Sequence, residues 1–257
     1  MVANQLPSTQ DLQSAPAAAV DLNNKFTSDN SNHIEAIVFS AYFVLYIVYL
    51  FFFQENEILH WLSFVIIPSL LLIIIQRRAS ATKCTLSDML ATVGLKKSGL
   101  KNGMFLAVVA GLGLSAFQFL QSQYLLEIWA QISSGKILIA LPLAFVLMFL
   151  TAGFTEEYFF RGVLQTRIVK LTNSRLLGVV AVALMFGFYH LPYAYLNLNW
   201  PSHGDLAASL GSALGQGIPM GIILGVVYEK SNNNLLACVV LHSLVNSLPA
   251  VAMIKFF

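Results

Sequence analysis

The chain is poor in charge. Asp, Glu, Lys and Arg make up only 10% of its 257 residues, 14 basic against 12 acidic, for a net charge of +2. Soluble domains carry roughly 25% charged residues, and so few charges cannot coat a soluble sphere of this size. The near-neutral balance excludes a nucleic-acid binder, whose phosphate contacts demand a strong basic excess. Cysteine is scarce as well. Cys84 and Cys238 stand far apart in the chain, which excludes a disulfide framework and any zinc-finger spacing. There is no basic start followed by a short apolar core, so no secretory leader is expected.

What the chain has in excess is apolar surface. Hydrophobic residues make up 57%, against roughly 45–50% in soluble domains, and this much apolar surface needs lipid. Met1 to Glu35 is polar and rich in Asn, Ser and Ala, with Asp11, Asp21, Lys25 and Asp29 scattered through it. This composition predicts a disordered tail over residues 1–35. Apolar blocks follow at Ala36 to Phe53, Trp61 to Ile75, Gly103 to Leu120, Ile137 to about Phe160, Leu176 to Leu191, Leu206 to Tyr228 and Leu235 to Ile254. They exceed ordinary strands and lack sustained period-two alternation, so helices fit better than a barrel. The expected fold is all-α, a polytopic integral membrane helix bundle of about seven spans, with six to eight as the range. The second block is short enough to suggest tilt, local thinning or re-entry.

Basic loops set the expected orientation. Gln76 to Lys101 holds Arg77, Arg78, Lys83, Lys96, Lys97 and Lys101 against Asp88 alone, and should be cytoplasmic. The preceding turn holds Glu55 and Glu57 and should face outside. Alternation then puts Arg167, Lys170, Arg175, Glu229 and Lys230 inside, the N-terminus inside and the C-terminus outside. Gln123 to Gly135 reads as an outer segment anchored by Tyr124 and Trp129. The organisation expected is a polar tail over 1–35, N-terminal membrane helices with a basic cytoplasmic loop over 36–136, and a functional core over 137–254.

A charge near the bilayer centre costs at least about 2.5–3.5 kcal/mol, so each one there needs a reason. Glu156, Glu157, Arg161, His190 and His242 are such residues, with Asn246 one turn beyond His242. At about 1.5 Å per helical residue, Glu156 and His190 each sit roughly 20 Å from the turn near Lys170. His242 and Asn246 sit roughly 12–18 Å from the turn near Asn233. Three segments thus deliver polar residues to a similar height. Glu157 and Arg161 share a helix face, as do Phe186 and His190, and His242 and Asn246. Glu156 points about 100° away from Glu157, so one carboxylate can pair with Arg161 while its neighbour faces a cavity. Alternatively, Thr155-Glu156-Glu157 after Gly153 could cap a new interfacial helix. His33, His60 and His203 fall in the tail or the outer turns and receive no role.

A carboxylate, two imidazoles and an amide form a hydrolytic set. Glu156, His190 and His242 could hold a divalent metal such as zinc with one position left for water. Without a metal, Glu and His could activate water directly while His and Asn stabilise an oxyanion. Both routes cleave an amide. Other intramembrane hydrolases fit less well. His-Glu-x-x-His and Gly-x-Gly-Asp are both missing, and Ser209-Leu210-Gly211-Ser212 is a poor echo of a rhomboid serine motif. Cys238 and His242 share a helix face, but a cysteine in an apolar span is normally a packing residue.

These residues resemble a family. Glu156-Glu157-Tyr-Phe-Phe-Arg161 is similar to the Glu-Glu-x-x-x-Arg motif of the CAAX protease and bacteriocin-processing (CPBP, or Abi) family, which includes the type II CAAX prenyl endopeptidases. Phe186-Gly-Phe-Tyr-His190 is similar to its Phe-x-x-x-His motif, and His242-Ser-Leu-Val-Asn246 to its His-x-x-x-Asn motif. Order and spacing match over roughly Ile137 to Ala250. The resemblance implies an intramembrane endopeptidase acting on a membrane-associated or lipidated protein or peptide. It implies that Glu156 and His190 activate water, that His242 and Asn246 stabilise the oxyanion, and that Glu157, Arg161 and Phe186 give structural support. It leaves open whether a metal is bound. Membrane lipid and a peptide or protein substrate are the expected partners, with no nucleic acid. The rival readings are a non-catalytic scaffold or immunity-type protein on the same fold, and a transporter using the carboxylate as a proton relay. No broken-helix repeat supports the transporter.

Overall fold

Lipid offers no water to backbone N–H and C=O groups, so an apolar run about 20 residues long closes its hydrogen bonds as a helix. In the computed structural model, seven helices among the described residues are long and apolar enough to cross a membrane. No strand is present among those residues. The protein is an all-α, multi-pass integral membrane bundle. The structure describes residues 15–53, 56–79, 85–121, 124–198 and 200–254. Residues 1–14 of the expected tail, Glu55, Lys83, Cys84 and Gln123 lie outside them.

The helices are α1 (Ala15–Phe52), α2 (Glu57–Arg78), α3 (Leu86–Thr92), α4 (Leu100–Gln121), α5 (Leu125–Ser133), α6 (Ile137–Thr172), α7 (Arg175–Leu196), α8 (Leu206–Lys230) and α9 (Leu235–Met253). All but α3 and α5 are spans. Polar side chains fix several starts. Asn56, Ser174 and Asp205 each accept a hydrogen bond from a first-turn amide of α2, α7 and α8. Thr85 and Asp88 form a reciprocal capping box on α3. The turns after α6 and α8 use Asn173, Asn232 and Asn233 at φ of 51°, 55° and 55°, a region asparagine tolerates.

Three expectations change here. The segment read as a disordered tail is helical from Ala15 onward and runs unbroken into the first span. Pro16 falls in the first turn and Ala17, Ala18 and Ala19 follow, a helix-favouring start that composition statistics overlook. The second span covers 22 residues, Glu57–Arg78, long enough to cross without re-entry. Its polar ends hid its length, and one of them, His60, is buried with its ring 4.7 Å from Phe64. The third change concerns the fourth span. It runs 36 residues, Ile137–Thr172, well past Phe160.

A straight helix of that length would measure roughly 54 Å against a hydrocarbon core of about 30 Å, so α6 cannot be straight. It breaks at Thr151, whose φ of −97° and ψ of −106° are not helical. Wider π turns occupy Phe149–Gly153 and Tyr158–Gln165, the kind of irregularity that concentrates at functional positions. The Thr151 and Thr155 hydroxyls donate to the Leu147 and Thr151 carbonyls at 2.7 Å each, so exposed acceptors are partly satisfied.

Helix α9 lies at the centre, against α4, both halves of α6, and α8. Helices α7 and α8 approach closely through small residues. A Cβ on Gly221 would meet Ala183 Cα at 2.8 Å, and one on Gly217 would meet Gly187 Cα at 2.8 Å. Such contacts drive helix association where the solvent is itself apolar.

The first span is pinned to α6 by a buried ion pair. Arg167 Nε donates to Glu35 Oε2 at 3.0 Å, with side-chain exposures of 0% and 4%. Arg167 Nη1 also donates to the Gly162 carbonyl at 2.6 Å and the Thr92 carbonyl at 3.4 Å. Arg167 is therefore no solvated loop charge, and Glu35 does not belong to a tail. Removing one partner of a buried pair strands the other charge, at about 3–5 kcal/mol. Glu35→Gln and Arg167→Gln should each lower the midpoint of thermal unfolding in detergent clearly. Glu35→Gln combined with Arg167→Met should recover part of the loss. Additive losses in the double variant would contradict this pairing.

Candidate active site

The bend in α6 sets how the first motif points. Beyond Thr151 the helix resumes at Phe154–Glu157, and its irregular turns carry Thr155 through Gln165 into the bundle interior as one buried stretch. Glu156 and Glu157 are 6% and 0% exposed and Arg161 is 0% exposed. They do not open an interfacial helix. Gly153 before them is itself helical and caps nothing, so the capping alternative falls.

Glu157 Oε1 is shared. Arg161 Nη1 donates to it at 3.1 Å, and His242 Nδ1 lies 2.7 Å away. Arg161 Nη2 donates to the Gly221 carbonyl at 3.1 Å, and its guanidinium carbon stands 4.6 Å from the Phe186 ring centre. One arginine thus joins α6, α7 and α8, and its carboxylate partner reaches α9. The His242 bond goes beyond the sequence expectation, which gave Glu157 to Arg161 alone. The Gly221 contact has no signal in the sequence, because a carbonyl acceptor leaves no trace in residue type.

An ionised carboxylate only accepts hydrogen bonds, so His242 donates through Nδ1–H. Its Nε2 then turns to the other carboxylate, 3.9 Å from Glu156 Oε2. That distance is too long for a direct bond. Glu156 Oε2 is buried without a hydrogen-bond partner among the described residues. A buried polar atom so placed calls for a water or a ligand.

His190 is half-buried and reaches the cluster from α7. Its Nδ1 is 2.8 Å from the Phe186 carbonyl. A carbonyl only accepts, so Nδ1 carries the proton and the Nε2 lone pair is left for other partners. The Phe186 ring separates the two imidazoles, with centroids 4.7 Å from His190 and 5.9 Å from His242. His190 lies within the electrostatic reach of Glu156, His242 and Arg161. Asn246 is half-buried one turn beyond His242 on α9.

The structure therefore brings Glu156, Glu157, Arg161, His242 and Phe186 into one contact set, with His190 beside it. Asn246 is on the same helix as His242 and makes no hydrogen bond among the described residues. The donor types suit zinc, since each imidazole is held by an acceptor at Nδ1, as metal ligands are. Yet no three His, Cys, Asp or Glu side chains among the described residues stand close enough to hold a metal ion. Glu156, His190 and His242 are not gathered at ligand spacing. Cys238 is buried with its Sγ 3.4 Å from the Leu224 carbonyl, a packed thiol and not a partner of His242.

The fold and the cluster define a helical membrane protein with a carboxylate–imidazole site buried in its core. Residues 138–248 match the family model described as type II CAAX prenyl endopeptidase Rce1-like. The match spans less than half of the chain, and it overlaps the stretch that holds all three motifs. No curated protein and no solved structure matches it.

The two adjacent carboxylates should separate in a stability measurement. Glu157→Gln strands Arg161 in a dry core and should cost on the order of 3 kcal/mol, seen as a lower unfolding midpoint in detergent. Glu156→Gln removes a buried charge that has no hydrogen-bonded partner at Oε2 and should leave the midpoint unchanged or raised. Equal losses would contradict the assignment of Glu157 as the paired acid.

Proposed function

We propose that the protein is an intramembrane endopeptidase that hydrolyses a peptide bond of a membrane-associated or lipidated protein or peptide, with prenylated C-termini the first substrates to try. The observation that carries this reading is His242 between two carboxylates, bonded to Glu157 at 2.7 Å and facing Glu156 at 3.9 Å. A membrane protein does not bury two acids and an imidazole at the centre of its bundle without a use for them.

The chemistry is carried by side chains. Water bound at Glu156 Oε2 attacks the carbonyl carbon, and Glu156 takes its proton. The His190 Nε2 lone pair accepts a hydrogen bond from the second O–H of the water, which stays on the attacking oxygen, and so fixes that oxygen in place. Negative charge then develops on the former carbonyl oxygen. His242, protonated on both nitrogens, donates to it through Nε2, and the Asn246 amide donates beside it. Glu157 balances the charge on that imidazolium, as the acid does in a catalytic triad. The C–N bond breaks as Glu156 returns its proton to the leaving amine. Glu157, Arg161 and Phe186 position these groups without touching substrate.

The test uses purified protein in nanodiscs and a peptide library that includes prenylated C-terminal peptides. Glu156→Gln and His242→Ala should each lower cleavage by at least about 10²-fold, with the fold intact. Full cleavage by either variant contradicts the reading. Metal content determined on the same sample decides whether zinc accompanies the protein.

The orientation we propose places the basic end of the bundle, near Lys97, in the cytoplasm and the α7–α8 turn, near His203, outside. In a Cys84→Ser background, Lys97→Cys should react with an impermeant thiol reagent only after the membrane is opened. His203→Cys should react in intact cells. The reverse pattern contradicts this orientation.

A further inference from the structure

At the basic end of the bundle, the last turns of α2 face the short helix α3. Between them lies a cavity of about 130 Å³ lined by Ile73, Gln76, Arg77, Thr85, Leu86 and Met89. Ile73, Leu86 and Met89 make its lining largely apolar, Arg77 is the cation in it, and Arg78 is the next residue on the same helix. Arg77 and Arg78 are exposed in the last turn of α2, and neither pairs with a described carboxylate. Lys97 and Lys101 are exposed on the adjoining segment. The acid nearby is Asp88, which is engaged in its own helix cap. Its carboxylate accepts from the Thr85 amide at 3.0 Å and hydroxyl at 2.6 Å. Leu86, at the mouth, is 68% exposed, as suits a side chain at a bilayer surface.

The cavity is also wired to the first motif. At the far end of α3, the Thr92 carbonyl accepts from Arg167, and the Val93 carbonyl lies 2.8 Å from where a Gly162 Cβ would stand. Gly162 follows Arg161 directly. Whatever steadies α3 against α2 therefore steadies the helix that carries Glu156 and Glu157.

We propose that this cavity is a binding site for one anionic phospholipid, with the phosphate at Arg77 and Arg78 and the start of an acyl chain against Ile73, Leu86 and Met89. Charge complementarity selects the headgroup, and the apolar lining distinguishes a lipid from a free phosphate. The site is separate from the peptidase reading, and its test reads lipid binding and not cleavage.

Detergent-purified protein is titrated with phosphatidylglycerol, phosphatidylcholine or soluble glycerol phosphate. Bound lipid is counted by native mass spectrometry, and the unfolding midpoint is followed in parallel. Phosphatidylglycerol should bind at one per chain and raise the midpoint, while phosphatidylcholine and glycerol phosphate should do neither. Arg77→Gln and Arg78→Gln should each weaken phosphatidylglycerol about fivefold, and Leu86→Ser should weaken it too. Lys97→Gln removes a charge from the same surface without lining the cavity and should leave binding unchanged. Three results overturn the proposal: equal effects of the two lipids, equal loss in Lys97→Gln and the arginine variants, or an equal effect of glycerol phosphate, which would mean an anion site only.

Discussion

One oxygen holds the centre of this protein together. Glu157 Oε1 accepts from Arg161 on its own helix and from His242 on α9. Through Arg161 it extends to the Gly221 carbonyl on α8 and the Phe186 ring on α7. Four helices thus meet at a single buried carboxylate. The cost of burying such a charge is severe unless every partner is in place, so the helices cannot rotate or slide independently. The same constraint decides the chemistry. With Nδ1 of His242 committed to Glu157, Nε2 has to face Glu156, and the second acid is left with an unpartnered oxygen.

The irregular backbone of α6 follows from that demand. A regular helix places consecutive residues about 100° apart, which alone would send one of the two acids away from the bundle centre. The break at Thr151 and the π turns from Tyr158 re-aim the short regular turn Phe154–Glu157 between them, so that both acids face protein. Glu156, Glu157 and Arg161 can then all be buried in one stretch. A second buried pair, Arg167 with Glu35, fastens the far end of the same helix to the first span. The loop after α3 packs on Gly162 between the two. The second half of the reactive helix is therefore braced by two buried ion pairs, while the remaining spans pack through small residues and aromatic rings.

Much of this was legible in the sequence. Apolar blocks gave the spans, because a bilayer reads length and hydropathy directly. The motif residues stood out because charges are costly at that depth, and spacings of four placed Glu157 with Arg161 and Phe186 with His190. Other features depend on how helices rotate against one another, which spacing does not encode. The bond from Glu157 to His242 joins residues far apart in the chain, and so does Glu35 with Arg167. The bend at Thr151 has no proline at the break, and Gly153 two residues on is a weak signal by itself. Asn246 was placed beside His242 by spacing and given a joint role by the family resemblance, and the structure supplies their shared helix without a hydrogen bond between them. Polar helix starts misled twice, at Ala15 and at Glu57, where composition outweighed capping and propensity.

The account turns on the proton of His242, and ¹⁵N NMR of the histidine rings in nanodiscs reads it directly, with His242→Gln assigning the signal. The predicted result is a ring protonated at both nitrogens that on raising the pH loses its Nε2 proton and keeps the Nδ1 proton, with that pattern disturbed in Glu157→Gln and kept in Glu156→Gln. A protonated Nε2 with a bare Nδ1, or a pattern indifferent to Glu157, would contradict the shared carboxylate on which the site depends.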